Sequence, residues 1–248
     1  MTSSLLTPCR RGATTGGSPA ATGGVGPTPI LDRDHPRVTA FVREVTAGRA
    51  PDDGELLRTA HALIARTVRP VYSLADRRPV SEVLRRGRGS CSQRLSVLEA
   101  VARSCGIATR VRGLLVDGAF WYPRFPRLTM LVPDRVVLAW PEFRLDGAWV
   151  AASALFGEVP AATGYTNAGP ETLFDALSRG AVDWDGPVGC PGTGSSCDLS
   201  ARVLADLGHY DSRDALFTAQ GQTLCLPARV LGEPVLGRWP AGGGVRGR

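Results

Sequence analysis

The sequence predicts an α+β fold in which helices pack on one side of an antiparallel sheet. Three observations point there: apolar residues recur at helical spacing up to Cys105, the pattern switches to strand-like runs after Gly106, and Asp146-Gly147 sits as a two-residue turn between two such runs. Residues 37–47 carry Val38, Phe41, Val42 and Val45 on one helical face, and residues 53–68 carry Leu56, Leu57, Ala60, Leu63 and Ile64 on another. His61 falls beside that second stripe and reads as a packing or solvated histidine rather than a catalytic one. Residues 81–84 form a short helical turn leading into the flexible stretch 87–89. From Cys91, the positions Leu95, Leu98, Ala102 and Cys105 make an amphipathic helix that Gly106 ends from its C′ position. Strands are expected over residues 109–116, 129–132, 136–145 and 148–152. The loop 120–126 crowds Phe120, Trp121, Tyr122 and Phe125 together, either as the lining of a hydrophobic cleft or as a plug in the core. Beyond Phe156 the pattern gives a Gly/Pro-rich loop, a helix over residues 171–178, a cysteine-bearing loop and a helix over residues 198–207.

The domain plan is correspondingly simple. Residues 1–30 are rich in Gly, Ser, Thr, Pro and Ala and are expected to be disordered, residues 31–160 to form the core, residues 161–240 to pack on it, and residues 241–248 to be loose. A chain of 248 residues with 43% hydrophobic and 21% charged residues is an ordinary globule with enough apolar material for one core. All 29 basic residues are arginine, which reflects a high-GC coding bias more than a physical demand. The net charge of +6 would suit an anionic partner, but the arginines are scattered and not interleaved with aromatics, so nucleic acid is not an expected partner. No apolar leader and no stretch of about 20 apolar residues is present, so no membrane partner is expected. A cytoplasmic location with reduced thiols follows. Cys190 and Cys197 flank a glycine-rich loop whose spacing matches no standard zinc site, and neither a metal nor a cofactor is expected.

Several motifs, in order, resemble those of the transglutaminase-like superfamily. Arg88-Gly89-Ser90-Cys91 is similar to its Gly-x-Cys helix start. Arg103-Ser104-Cys105-Gly106-Ile107-Ala108-Thr109-Arg110 is similar to its Arg-x-x-Gly-Ile-x-x-Arg approach to a strand. Leu138-Ala139-Trp140-Pro141-Glu142 stands where the family has His-x-Trp-x-Glu, and Leu145-Asp146-Gly147-Ala148-Trp149-Val150 follows as its Leu-Asp-Gly-x-Trp-Val hairpin. Asp214-Ala215-Leu216-Phe217 also looks like the tail of some family members. The resemblance covers roughly residues 35–160. It implies a papain-like α+β thiol fold with Cys91 as nucleophile, a strand histidine as general base and, shortly after the second tryptophan, an aspartate that orients it. Those last two places hold Leu138 and Ser153.

Such a site keeps its nucleophile and lacks its proton shuttle. A cysteine at a helix start has unpaired N–H groups and the positive end of the helix dipole beside it, which favour its thiolate and offer an oxyanion donor. Leucine can move no proton, so a peptide amide, whose amine must leave protonated, is a poor substrate. Glu142 shares the face of Leu138 but lies about 13 Å further along the strand. His209 is the remaining candidate base from the C-terminal part. The candidate catalytic residues are therefore Cys91, Glu142 and His209, with Leu138, Trp140, Trp121, Tyr122, Ser153 and Arg88 as candidate substrate contacts. The expected function is acyl transfer or condensation on a thioester or other activated acyl group, small-molecule or carrier-bound, which the resemblance places in a specialised biosynthetic pathway. A binding or scaffold protein is one alternative. A non-covalent cyclisation or proton transfer, with Glu142, Asp117 or His209 as base, is the other.

Overall fold

The structure, a computed structural model, describes residues 21–48, 52–157, 164–186 and 198–241. Helix α1 (Pro36–Thr46) starts at His35, whose imidazole accepts the Arg37 N–H, with proline in the first turn where no N–H is needed. It turns Val38, Phe41 and Val45 inward. Helix α2 (Asp53–Thr67) is capped by the Asp52 carboxylate at 2.7 Å from the Glu55 N–H and buries Leu57, Ala60, Leu63 and Ile64. A two-residue strand β1 (Arg69–Pro70), helix α3 (Val80–Arg86) and a second short strand β2 (Arg88–Gly89), parallel to β1, lead to helix α4 (Cys91–Ser104). Helix α4 is the central one: every residue from Gln93 to Arg103 is buried, because α1, α2, α3 and the sheet surround it.

The sheet is built from β3 (Thr109–Asp117), β4 (Arg135–Leu145), β5 (Ala148–Ala151) and β6 (Val203–Tyr210), in the order β5-β4-β3-β6 and antiparallel throughout. Asp146 and Gly147 both take positive φ, 48° and 80°, the signature of a two-residue hairpin turn whose twist matches its strands. Three further helices, α5 (Leu173–Leu177), α6 (Arg213–Ala219) and α7 (Leu226–Leu236), complete the described chain. Helix α6 packs close on β3 at Gly113, where a Cβ would stand 2.7 Å from a Leu216 methyl.

Three expectations are corrected. Residues 198–207 are not a helix. Val203–Tyr210 forms β6, because Val203 and Leu207 satisfy helical and alternating spacing alike and pairing with β3 decides between them. Residues 129–132 are not a strand but a 3-10 turn, Thr129–Leu131, with no sheet partner among the described residues. Residues 21–30 are ordered: Gly24 and Thr109 exchange both backbone hydrogen bonds at 3.0 Å, and Ile30 is buried. Composition could not show that, since the segment is held mainly through its backbone, by the pairing with Thr109 and by hydrogen bonds with the side chains of Arg103, Arg110, Asp211 and Asp214. Helix α7 had no counterpart in the sequence reading, and the Cys190 and Cys197 loop lies outside the described residues.

Candidate active site

Cys91 is the first residue of α4, and its place is fixed from several directions. The Ser90 side chain accepts the Gln93 N–H at 3.3 Å while the Gln93 side chain accepts the Ser90 N–H at 3.1 Å, a capping box that fixes the first turn. The Gln93 amide nitrogen then donates to the Ser73 hydroxyl and the Ala75 carbonyl, at 2.8 and 2.9 Å, tying that turn to the loop after β1. On the sheet side, the buried Arg213 guanidinium donates to Ser92 at 2.9 Å and to the Ala139 carbonyl at 3.3 Å, so one cation clamps the start of α4 to the middle of β4. Glu99, also fully buried, neutralises it through a direct ion pair. The Cys91 thiol is free and half-buried.

It opens into a cavity of about 260 Å³. The wall is mostly apolar, with Phe120, Trp121, Phe125, Leu138, Leu173 and Leu224 among the lining side chains. Arg124 braces one side by donating to Asn167 at 2.9 Å and Tyr165 at 3.1 Å, as well as to the Glu171 carbonyl, and Tyr165 in turn donates to Asn167 at 2.6 Å. These donors are used up inside the wall, so they hold its shape. Burial raises the Tyr165 phenol, and a negative charge on Cys91 would raise it further. The same two causes, burial first, act on Tyr72, the phenol of another lining residue.

The lining also carries a carboxyl, Asp76. Desolvation drives its carboxyl up to about 7, against the pull of Arg213, the Thr223 N–H and Arg229 and with a small push from Glu233.

The predicted site residues fall into two groups. Cys91, Leu138 and Trp121 line the cavity together. Trp140 is buried one pleat along β4, edge-on to Trp184 with ring centres 5.7 Å apart. Glu142, a further pleat along, accepts from Arg110 at 2.6 Å and pairs with His209 at 3.1 Å. His209 stands opposite Arg112 in the β3-β6 register. Neither Glu142 nor His209 is part of the cavity lining, and the same holds for Trp140, Tyr122, Ser153 and Arg88. Tyr122 is exposed at 38%, Ser153 sits in the 3-10 turn Ala152–Ala154, and Arg88 belongs to β2. The sheet therefore brings Glu142 and His209 to each other and not to the thiol.

His61 is buried with its Nε2 at 2.7 Å from the Phe174 carbonyl and its ring stacked on Phe174. Burial lowers its pKa and keeps it neutral, as a packing residue would be. Sequence reasoning missed Asp76, Arg124, Tyr165 and Asn167, which reach the cavity from three segments far apart in the chain and carry no motif. Among the described residues no group of three His, Cys, Asp or Glu is placed to hold a metal ion, and no helix is long and apolar enough to cross a membrane.

The family comparison agrees with this architecture. Residues 39–154 match the transglutaminase-like superfamily core. No curated protein matches the chain. Among solved structures, it is similar to a candidate cysteine protease from Cytophaga hutchinsonii, at 14% identity and a TM-score of 0.37 over 51% of this chain and 39% of that one. It is also similar to a candidate protease from Parabacteroides distasonis, at 15% identity and a TM-score of 0.32 over 50% of this chain and 25% of that one. The chain spans less than half the length of either. With a helix-start cysteine, an antiparallel sheet packed on that helix and a match over residues 39–154, that part of the chain is similar to the core of the transglutaminase-like superfamily.

Proposed function

We propose that the protein transfers a hydrophobic acyl group through Cys91, taking it from a thioester or similarly activated donor. The observation that carries this reading is the shared cavity: the half-buried thiol at the start of α4 opens onto an apolar wall that includes Leu138. In the resembling family a histidine stands at that wall and protonates a leaving amine. Leucine there removes that chemistry and adds surface for a hydrocarbon chain, worth about 25 cal/mol per Å² of apolar area it covers.

A thioester suits such a site because its leaving group is a thiolate that departs without a proton. In the forward step the Cys91 sulfur forms a bond to the carbonyl carbon, the carbon–sulfur bond of the donor breaks, and the donor thiolate leaves with the electron pair. An amine or hydroxyl acceptor then attacks the Cys91 thioester, loses its proton and frees the thiol. Charge on the carbonyl oxygen during either attack is met by the Cys91 N–H and the positive end of α4.

The test is intact-mass analysis after incubation with hexanoyl and dodecanoyl thioesters of a simple thiol. A single acyl adduct that maps to Cys91 and is faster with the longer chain supports the reading. Saturable binding of the same chains with no adduct would replace it with a binding role.

A further inference from the structure

We infer that Asp76 is the proton acceptor of the Cys91 cavity, a carboxylate from the loop after β1 working where the resembling family has an imidazole on the strand. The inference rests on the reading of Cys91 as an attacking thiol and names the group that takes its proton. Three observations locate Asp76. It lines the cavity together with Cys91 and Leu138. The Thr223 N–H bonds its carboxylate, and the hydroxyl of the same Thr223 accepts the N–H of Val137, the neighbour of Leu138, at 3.2 Å. Arg213 acts on it electrostatically while bonding both Ser92, next to Cys91, and Ala139, the other neighbour of Leu138. The carboxylate is thus bonded by one residue that ties to β4 beside the histidine position and feels the charge of another that bonds both α4 beside the thiol and β4.

Its loop is also fixed to the thiol's own helix turn, through the Gln93 bonds to Ser73 and Ala75. Glu233 of α7 accepts from the Leu74 N–H at 2.7 Å and from Arg78 at 2.7 Å, so both sides of Asp76 along the chain are anchored. The charged and titratable groups acting on Asp76 are Arg213 from α6 and Arg229 and Glu233 from α7, while Tyr72, Cys91, Arg124 and Tyr165 share the cavity. A carboxyl raised to about 7 is divided between its two forms near neutral pH, as a proton acceptor must be.

The step balances. As the Cys91 sulfur bonds to the carbonyl carbon, its proton passes to a carboxylate oxygen of Asp76. The protonated acid then gives that proton to the departing donor thiolate or to water, and in the second half of the cycle the carboxylate takes the proton of the attacking amine or hydroxyl and returns it to the Cys91 sulfur as the acyl–sulfur bond breaks.

The test is the pH profile of iodoacetamide labelling at Cys91, followed by mass spectrometry with Cys105 as the internal reference, in the native protein and in Asp76→Asn. Cys105 is a suitable reference because burial raises its thiol above the ordinary range. The native profile is expected to inflect near 7. Asp76→Asn should label about tenfold more slowly at pH 7 and inflect in the ordinary thiol range of about 8.5, and Asp76→Glu should keep part of the native profile. Faster labelling of Asp76→Asn at pH 7 would overturn the inference, since it would mean that Asp76 only repels the thiolate. A native inflection in the ordinary thiol range would overturn it without any variant. Normal labelling profiles with no thioester adduct would instead count against acyl transfer and leave the acceptor assignment standing.

Discussion

Strand β4 presents two different chemistries on one face. At Leu138 the face meets the Cys91 cavity, which is apolar, open and supplied with a thiol. Two pleats away, at Glu142, it carries a closed cluster in which Arg110, Glu142 and His209 satisfy one another and Arg110 lies 4.5 Å above the Trp149 ring. Trp140 and Trp184 fill the space between. The chain does own a histidine and carboxylates on this sheet, so the thiol is without an imidazole because of where the residues stand, not because of what the sequence lacks. A residue's distance along the strand, about 3.3 Å per position, decides whether it can serve the cysteine.

The comparison breaks most completely at the thiol itself. Cys91→Ala should abolish the acyl adduct and lower any transfer activity by a thousandfold or more, on the order seen when a covalent nucleophile is removed, as measured by intact mass and product formation. Next in size is the clamp under the cavity: Glu99→Ala leaves Arg213 buried without its partner and should cost about 3–5 kcal/mol in denaturant unfolding. Converting the cavity end to the family's arrangement is a smaller change. Leu138→His alone should give little amide hydrolysis, because Ser153 is a weaker orienter than aspartate. Leu138→His with Ser153→Asp should exceed it by about tenfold or more against an activated anilide. Equal activity of the two variants would count against the alignment of Leu138 and Ser153 with the family's pair.

Asp76 gives a stability readout of the same end. Its folded carboxyl, near 7, lies above the unfolded value, so the fold binds that proton more tightly than the unfolded chain does. The resulting stability is fully present below about pH 4 and is lost as pH rises through about 7. Asp76→Asn, which cannot ionise, should therefore melt at a higher temperature than the native protein at pH 8, with the gap closing toward pH 5. The smallest effect is expected at the far end of the strand. His209→Ala removes a partly exposed pair and should cost no more than about 1 kcal/mol, with thioester acylation of Cys91 within about threefold of native. A large loss of acylation in that variant would join the two ends of the face into one site.

The sequence made the helical half and the hairpin legible because both are local: a 3.6-residue apolar stripe and Asp146-Gly147 need no distant partner to declare themselves. It also singled out Cys91, since a glycine-led cysteine at a helix start has a local signature. What it could not show were elements decided by pairing. Residues Val203–Tyr210 took strand form on meeting β3, and residues 21–30 were ordered by backbone bonds to Thr109 and to side chains from distant elements. Asp76 was hidden for a related reason. In Ala75-Asp76-Arg77-Arg78-Pro79 it looks like any charged turn, and only the return of the chain at Thr223 and Arg213 encloses it. Conversely, His209 and Glu142 drew notice as ionisable groups in the right sequence neighbourhood, and the register then paired them with each other.

The most direct measurement is the mass of the intact protein after exposure to a dodecanoyl thioester and, separately, to the matching dodecanoyl amide. The account predicts one acyl group on Cys91 from the thioester, none in Cys91→Ala, and none from the amide. Acylation or cleavage with the amide at a comparable rate would contradict it, because the site would then expel an amine as readily as a thiolate.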